Sequence, residues 1–158
     1  MSSVAHEIAQ VLGDVLDKGP RAGTWPAAVD AGLTAVAAPK ELGGEGLGFD
    51  ALAVMLRELG RRAHDLPVWE TLGCGLMTTL QAGSPEVQQS IVPRIVSGEL
   101  QIAPALSEVG AAMPETPATV LADDAVTGTK IHVPVLHSAL LLVSVADGSA
   151  VFIDPDGP

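Results

Sequence analysis

The stretch GSPEVQQSIVPRIVSGELQIAPALS, residues 83–107, decides the fold. It opens with a helix start, because Ser84 can act as the cap while Pro85 and Glu86 suit the first turn. Pro93 then predicts a kink or a break in that helix. After Gly98 the pattern changes from helical periodicity to that of a strand. We therefore predict a helical N-terminal domain over residues 1–98 and a β-domain over residues 99–158.

Upstream of this stretch, apolar residues recur at helical spacing. Gly19 with Pro20 predicts the end of the first helix, Thr24 can cap a second, and Asp50 can cap a third. Arg61 and Arg62 fall in the last turn of the third helix, where the helix dipole favours cations. A fourth helix is predicted to stop at Gly83. The apolar positions that define the four helices are Val4, Ile8, Val11, Leu12, Val15 and Leu16; Trp25 and Val29; Leu52, Met55, Leu56 and Leu59; and Val68, Leu72, Leu76 and Leu80.

Downstream, short apolar runs alternate with turn residues. Asp147 and Gly148 stand between two such runs, which is typical of a hairpin turn. The predicted strands are residues 101–107, 118–123, 125–133, 139–145 and 150–154. Helices followed by strands predict the α+β class, with an N-terminal helical bundle and then a small antiparallel β-domain.

The charge of the chain excludes some classes of partner. The formal net charge is −11, which argues against nucleic acid and against an anionic membrane surface. A phosphate-bearing small ligand remains compatible, because backbone N–H groups can hold it. A single cysteine, Cys74, rules out an internal disulfide.

Neither a signal peptide nor a membrane-spanning run is visible in the sequence. The first residues include Glu7 and Asp14 at helical spacing instead of a basic start and an apolar block. No uncharged apolar run reaches the ~20 residues that a spanning helix needs. We expect a soluble, cytoplasmic protein without membrane insertion.

The residues alone show no catalytic constellation and predict no metal site. Residues 42–48 are rich in glycine but lack both the strand context of a dinucleotide fingerprint and the lysine of a P-loop, so a helix-to-helix loop is favoured over a phosphate cradle. His132 and His137 lie five apart across Pro134, which is not a helical ligand pair. Ser107 and Glu108 are neighbours on a predicted strand, so their side chains should point to opposite faces. Cys74 is predicted to be a buried, inert thiol.

Four stretches, taken in order, resemble acyl-CoA dehydrogenases. The first runs from Trp25 through APKELGGEG at residues 38–46, and the second is RELGR at residues 57–61. The third spans residues 83–100, and the fourth combines LSE at residues 106–108 with VTGTK at residues 126–130. The resemblance covers essentially the whole chain, and the ordered set carries it more than any single motif.

The resemblance implies a fold, a reaction and a cofactor. In this family a helical domain packs beside a β-domain, and acyl-CoA and FAD lie between them and a C-terminal helical bundle. A glutamate removes the α-proton of the acyl chain while the β-hydrogen leaves as hydride to the flavin. The match assigns Leu106, Ser107 and His132 as cofactor-binding residues, with the Ser107 side chain toward the flavin cleft. It assigns no catalytic residue here, because the family's glutamate belongs to the bundle, which we expect to be absent from this chain.

Several positions depart from the family pattern. Val109 replaces a proline, residues 110–114 replace a small polar turn, and His132 and Pro134 stand where tryptophan and threonine flank the flavin. Three hypotheses follow: an acyl-CoA dehydrogenase or one of its subunits, a non-catalytic structural subunit that supports a flavin-bearing partner, or a free-standing acyl-CoA binding module. The second is similar to one subunit type of bacterial heteromeric enzymes acting on steroid side-chain CoA esters. Expected partners are acyl-CoA and a related subunit or further copies of the chain, and the chain alone is expected to be inactive.

Overall fold

The structure, a computed structural model, describes residues 3–18, 24–136 and 139–157. The chain forms two compact units, Met1–Leu100 and Gln101–Pro158. Within the described residues, no helix combines the length and the apolar character needed to cross a bilayer. The α+β fold class is confirmed, since helices make up the first unit and strands the second.

The first unit is built from amphipathic helices around an aliphatic core. Its helices are α1 Ser3–Lys18, α2 Thr24–Asp30, α3 Gly48–Arg62, α4 Met77–Ala82 and α5 Pro85–Val96. A 3₁₀ turn spans Lys40–Leu42, and a π-helix spans Trp69–Leu76 and leads directly into α4. Most residues of the predicted apolar stripes face inward, with Leu12, Leu52, Leu72 and Leu76 fully buried, whereas Val4 is 44% exposed. The predicted end of the first helix at Gly19 and Pro20 lies outside the described residues.

Ser84 caps α5 as predicted, and its side chain accepts a hydrogen bond from the Val87 N–H. Of the kink or break predicted at Pro93, the break is wrong, because α5 continues through Pro93 to Val96. The proline ring removes the N–H that would bond the carbonyl four residues earlier. That carbonyl belongs to Gln89, an exposed residue, so water can replace the lost donor.

Two further helix predictions need correction. Asp50 does not cap the third helix, because α3 begins at Gly48 and places Asp50 in its first turn, where a carboxylate complements the helix dipole. The fourth predicted helix is helical from Val68, but its first half is a π-helix. Apolar residues four apart give the same buried face in both helix types, so periodicity does not separate them.

The second unit contains a three-stranded sheet and a separate two-stranded hairpin. The strands are β1 Gln101–Ala105, β2 Val120–Ala122, β3 Ala125–Thr127, β4 Ala139–Ser144 and β5 Ala150–Ile153. The order in the larger sheet is β1-β4-β5, and β2 pairs with β3. The predicted hairpin at Asp147 and Gly148 is confirmed, since β4 and β5 pair antiparallel around it.

The β-domain was predicted to be antiparallel, which holds for the β2–β3 and β4–β5 pairs but not for β1 and β4, which run parallel. The connection through residues 106–138 is long enough to bring the chain back to the starting end of β1, as a parallel pair requires. The predicted strand 125–133 also ends early, at Thr127. At Gly128 the chain passes so close to Thr119 that a Cβ atom would lie 2.8 Å from the Thr119 Cα.

Candidate functional site

Two loops of the second unit carry the residues that the sequence assigned to a cofactor. Leu106 and Ser107 follow the end of β1, and His132 lies in the segment after β3. The Ile131 N–H donates to the Ser107 carbonyl at 2.9 Å, which joins the two segments. His132 is exposed and has a φ of +55°, in the left-handed region. The structure therefore brings the three assigned residues into adjoining segments, and their role as cofactor contacts remains a prediction.

The loop after β1 is braced by its own hydrogen bonds. The Ser107 Oγ donates to the Ala112 carbonyl at 2.7 Å. Glu108 and Ala111 exchange two backbone hydrogen bonds of 2.9 and 3.0 Å. Because the Ser107 hydroxyl proton is already used, its oxygen is left to accept a hydrogen bond from a ligand. The same loop exposes 81% of Val109 and 79% of Met113, so it presents apolar surface.

Glu108 forms an ion pair that the sequence analysis missed. Its Oε1 lies 2.7 Å from the Lys130 Nζ, and the two side chains are only 11% and 8% exposed. The Lys130 ammonium and the Ala118 N–H hold the pKa of Glu108 well below its usual 4.5, at about 2. A usable signal was present, because Lys130 is the only lysine or arginine among residues 101–158. A single lysine in an otherwise acidic segment is a candidate ion-pair partner for a glutamate that directly follows a predicted strand.

Ser107 and Glu108 have separate partners, as their adjacent positions predicted. The Ser107 hydroxyl bonds within its own loop, whereas the Glu108 carboxylate bonds to Ala118, Thr119 and Lys130. The two side chains therefore do not combine as a nucleophile and its base.

The second unit is acidic on its surface. Residues 101–158 hold seven acidic residues and one lysine, a formal charge of −6. Lys130 is buried against Glu108, and the two opposite charges cancel. The pair therefore offers no net charge to a ligand at the surface. The other acids are exposed; they are Glu115, Asp123, Asp124, Asp147, Asp154 and Asp156.

In the glycine-rich loop of the first unit, the backbone N–H groups of residues 42–47 are occupied. The N–H groups of Glu45, Gly46 and Leu47 donate to the carbonyls of Ala35, Ala38 and Val36 at 2.9, 2.8 and 3.0 Å. The N–H groups of residues 42–44 donate to the carbonyls of Pro39 and Lys40. Because a phosphate cradle needs free N–H groups, this bonding favours the plain connecting loop.

The remaining candidate side chains show little chemistry. Cys74 is half-buried in the π-helix, and burial, with a smaller effect of Glu70, raises the pKa of its thiol. A higher pKa leaves less of the reactive thiolate at neutral pH. Among the described residues, no group of three or more His, Cys, Asp or Glu side chains is arranged to hold a metal ion.

Fold comparison defines the class of protein. The structure is similar to a variant of Tcur3481–Tcur3483 steroid ACAD with a TM-score of 0.82 at 28% identity, over 98% of this chain and 48% of that chain. It is also similar to an acyl-CoA dehydrogenase complexed with FAD from Bacillus anthracis, with a TM-score of 0.82 at 21% identity, over 99% of this chain and 31% of that chain. The helical unit and the strand unit thus have the fold of acyl-CoA dehydrogenases.

Sequence comparison gives the family itself. Residues 2–99 match the model of the acyl-CoA dehydrogenase N-terminal domain. The chain is 34% identical over 148 residues to acyl-CoA dehydrogenase FadE28 of Mycobacterium tuberculosis, covering 94% of this chain and 42% of that protein. This chain belongs to the acyl-CoA dehydrogenase family. It spans about two fifths of the length of that relative.

Proposed function

We propose that this chain contributes a helical domain and the flavin-edge β-domain to an acyl-CoA dehydrogenase. The reaction would be α,β-desaturation of an acyl-CoA thioester. A fatty-acyl or a steroid side-chain thioester is the substrate class, and the second is favoured by the 28% identical steroid ACAD. FAD, when bound, would supply the hydride acceptor.

The observation that carries the proposal is the 2.9 Å hydrogen bond between the Ile131 N–H and the Ser107 carbonyl. Two stretches that resemble the family's flavin contacts, separated along the chain, adjoin in space at this bond. Leu106, Ser107 and His132 can then face one edge of a planar ring. In this arrangement the Ser107 oxygen would accept from a ring N–H, and the His132 imidazole would stack.

The same residues fit FAD with fewer contacts than the family pattern provides. His132 stacks less broadly than indole, and Pro134 has neither a hydroxyl nor an N–H. Met113 exposes an apolar side chain where the family has a serine. Each lost hydrogen bond weakens binding by ~0.5–1.5 kcal/mol, so two or three losses reduce affinity by roughly 10–1,000-fold.

A second function, a non-catalytic subunit that supports a flavin-bearing partner, is favoured by the charge of the β-domain. FAD and acyl-CoA both carry phosphate groups, and the only lysine of residues 101–158 is buried against Glu108. The steroid ACAD neighbour pairs Tcur3481 with Tcur3483. By analogy, a related subunit would provide the cationic contacts and the base.

The two proposed functions predict different results in a test of flavin retention. The full chain is purified alone, mixed with excess FAD, passed through a desalting column and examined by visible spectroscopy. We expect no retained flavin from the chain alone and retained flavin after co-expression with a related full-length subunit. One flavin per chain in the isolated protein, bleached by acyl-CoA, would contradict the supporting-subunit function.

A matched variant tests the residues behind this expectation. Met113→Ser with Pro134→Thr restores two polar groups of the family pattern. If the assigned edge is correct, this double variant binds FAD roughly 5–150-fold more tightly than the parent. Equal affinity in fluorescence titrations of both proteins would show that FAD does not contact this edge.

A further inference from the structure

The Glu108 carboxylate is a hub for four hydrogen bonds. Its Oε2 accepts from the Ala118 N–H at 2.7 Å. Its Oε1 accepts from the Thr119 N–H at 3.1 Å, from the Thr119 Oγ at 2.8 Å and from the Lys130 Nζ at 2.7 Å. A buried charge is tolerated only with such complete pairing. The four bonds therefore compensate the burial of the Glu108 charge.

The hub joins segments that are distant in sequence. Lys130 also donates to the Ser144 Oγ at 3.0 Å, at the end of β4. The Thr119 carbonyl accepts from the Ala146 N–H at 2.8 Å, in the turn after β4. Through these bonds the loop after β1 is tied to the segment before β2, to the segment after β3 and to the sheet.

The two charged residues are directly adjacent to the candidate site. Glu108 follows Ser107, and Lys130 precedes Ile131, whose N–H bonds to Ser107. His132 comes one residue later. The ion pair and the Ile131–Ser107 hydrogen bond are thus two parallel links between the same loops, and both side chains of the ion pair are largely shielded from solvent.

We propose that Glu108 and Lys130 are positioning residues, which hold the loop of Ser107 against the loop of His132. The identity of the ligand that the two loops bind rests on the proposed function, whereas the positioning role of the ion pair does not depend on it. A positioning role predicts a local effect when the pair is broken. A purely structural role predicts that the whole β-domain loosens together.

The experiment measures amide hydrogen exchange by NMR on the full ¹⁵N-labelled chain. Glu108→Gln keeps the size and one acceptor oxygen, replaces the other oxygen with an NH2 donor, and removes the charge that attracts Lys130. We expect exchange of the Ile131 N–H to accelerate roughly tenfold or more. Exchange in the β4–β5 ladder, such as at Val143, should stay unchanged. The control is Asp124→Asn, which removes an exposed charge in the β2–β3 turn and should leave both rates as in the parent.

A second variant protects the test against misfolding. Lys130→Gln leaves Glu108 able to accept from Ala118 and Thr119, and it should give the same local acceleration. Exchanging the charges in the double variant Glu108→Lys, Lys130→Glu should not rescue Ile131, because a lysine side chain cannot accept from backbone N–H groups. Unchanged Ile131 exchange, uniform acceleration of the sheet, or loss of folding in both single variants would each overturn the positioning role.

Binding of FAD separates this proposal from the proposed function. If both hold, Glu108→Gln also weakens FAD in fluorescence titrations by roughly tenfold, and Asp124→Asn does not. If the parent chain acquires no FAD even after co-expression with a related full-length subunit, while Ile131 responds as expected, the positioning role stands and the flavin function of these loops fails.

Discussion

Replacing Gly44 with alanine is expected to destabilise the helical unit, although alanine usually stabilises a chain in place of glycine. A Cβ atom at this position would overlap the Ala38 carbonyl and lie 2.6 Å from the Ala38 Cβ. Ordinary contacts between carbon atoms are ~3.5–4.0 Å, so the loop must move by about 1 Å. The opposing atoms belong to the buried Ala38 and have little room to yield.

The loss of stability follows from the bonds that such a movement breaks. The Gly44 N–H donates to the Pro39 carbonyl at 2.9 Å, and the Gly46 N–H to the Ala38 carbonyl at 2.8 Å. Two backbone hydrogen bonds contribute about 1–3 kcal/mol together. The stiffer unfolded chain of the alanine variant offsets roughly 0.4–1 kcal/mol. We expect a net loss of up to about 2.6 kcal/mol in the free energy of unfolding.

Gly60 provides the matched control. It lies in the last turn of α3, and a Cβ atom there would meet nothing within 4 Å. Gly60→Ala should therefore stabilise the helical unit by about 0.5–1 kcal/mol. Both tryptophans of the chain, Trp25 and Trp69, belong to the first unit. Their fluorescence during urea unfolding reports this unit selectively.

The difference between the free energies of unfolding of the two variants tests whether close packing explains the glycine at position 44. If Gly44→Ala is as stable as Gly60→Ala, close packing is not the reason for glycine at position 44. Retained stability together with weaker binding of a phosphate-bearing ligand would favour the phosphate cradle that the occupied N–H groups argue against.

Three further outcomes are expected. Hydrogen bonds from Arg61 and then Arg62 lower the pKa of Glu58 from 4.5 to about 2. The stabilisation of the helical unit by Glu58 is therefore complete above pH 4.5 and is lost as the pH falls through 2. Glu58→Gln should flatten the tryptophan-monitored stability curve between these pH values, and an unchanged slope would contradict this prediction. Cys74, whose thiol pKa is raised by burial, should react slowly with Ellman's reagent at pH 8 and quickly in urea, so equal rates would exclude a protected thiol. Gly148→Ala should destabilise the β4–β5 hairpin by about 1–2 kcal/mol, because the φ of Gly148 is +85°, in the left-handed region that disfavours alanine. Faster hydrogen exchange of the Val145 amide would support this prediction, and an unchanged rate would contradict it.

Local signals in the sequence predicted the elements that depend on local bonds. Ser84 caps α5 through a contact three residues away. Asp147 stabilises its turn by accepting from the N–H and the hydroxyl of Ser149. Both arrangements are complete within a few residues, so the sequence pattern contains all the partners that decide them.

Contacts between residues that are distant in sequence could not be predicted from local patterns. The parallel pairing of β1 with β4 depends on the path of the chain between these two strands, which no short pattern records. Glu108 and Lys130 are 22 residues apart, and their pairing depends on where β3 ends. At the candidate site, family resemblance identified Leu106, Ser107 and His132, whereas the bonds that hold these loops together required the fold.

The burial of Lys130 has a consequence for salt dependence. Proteins that bind phosphate through surface cations lose affinity as salt rises. Here the exposed charges of residues 101–157 include Asp123, Asp124 and Asp147, and they repel an anion. Screening shortens the reach of this repulsion, from ~10 Å at 0.1 M salt to ~3 Å at 1 M. For a phosphate-bearing ligand that meets this unit alone, higher ionic strength should therefore strengthen binding.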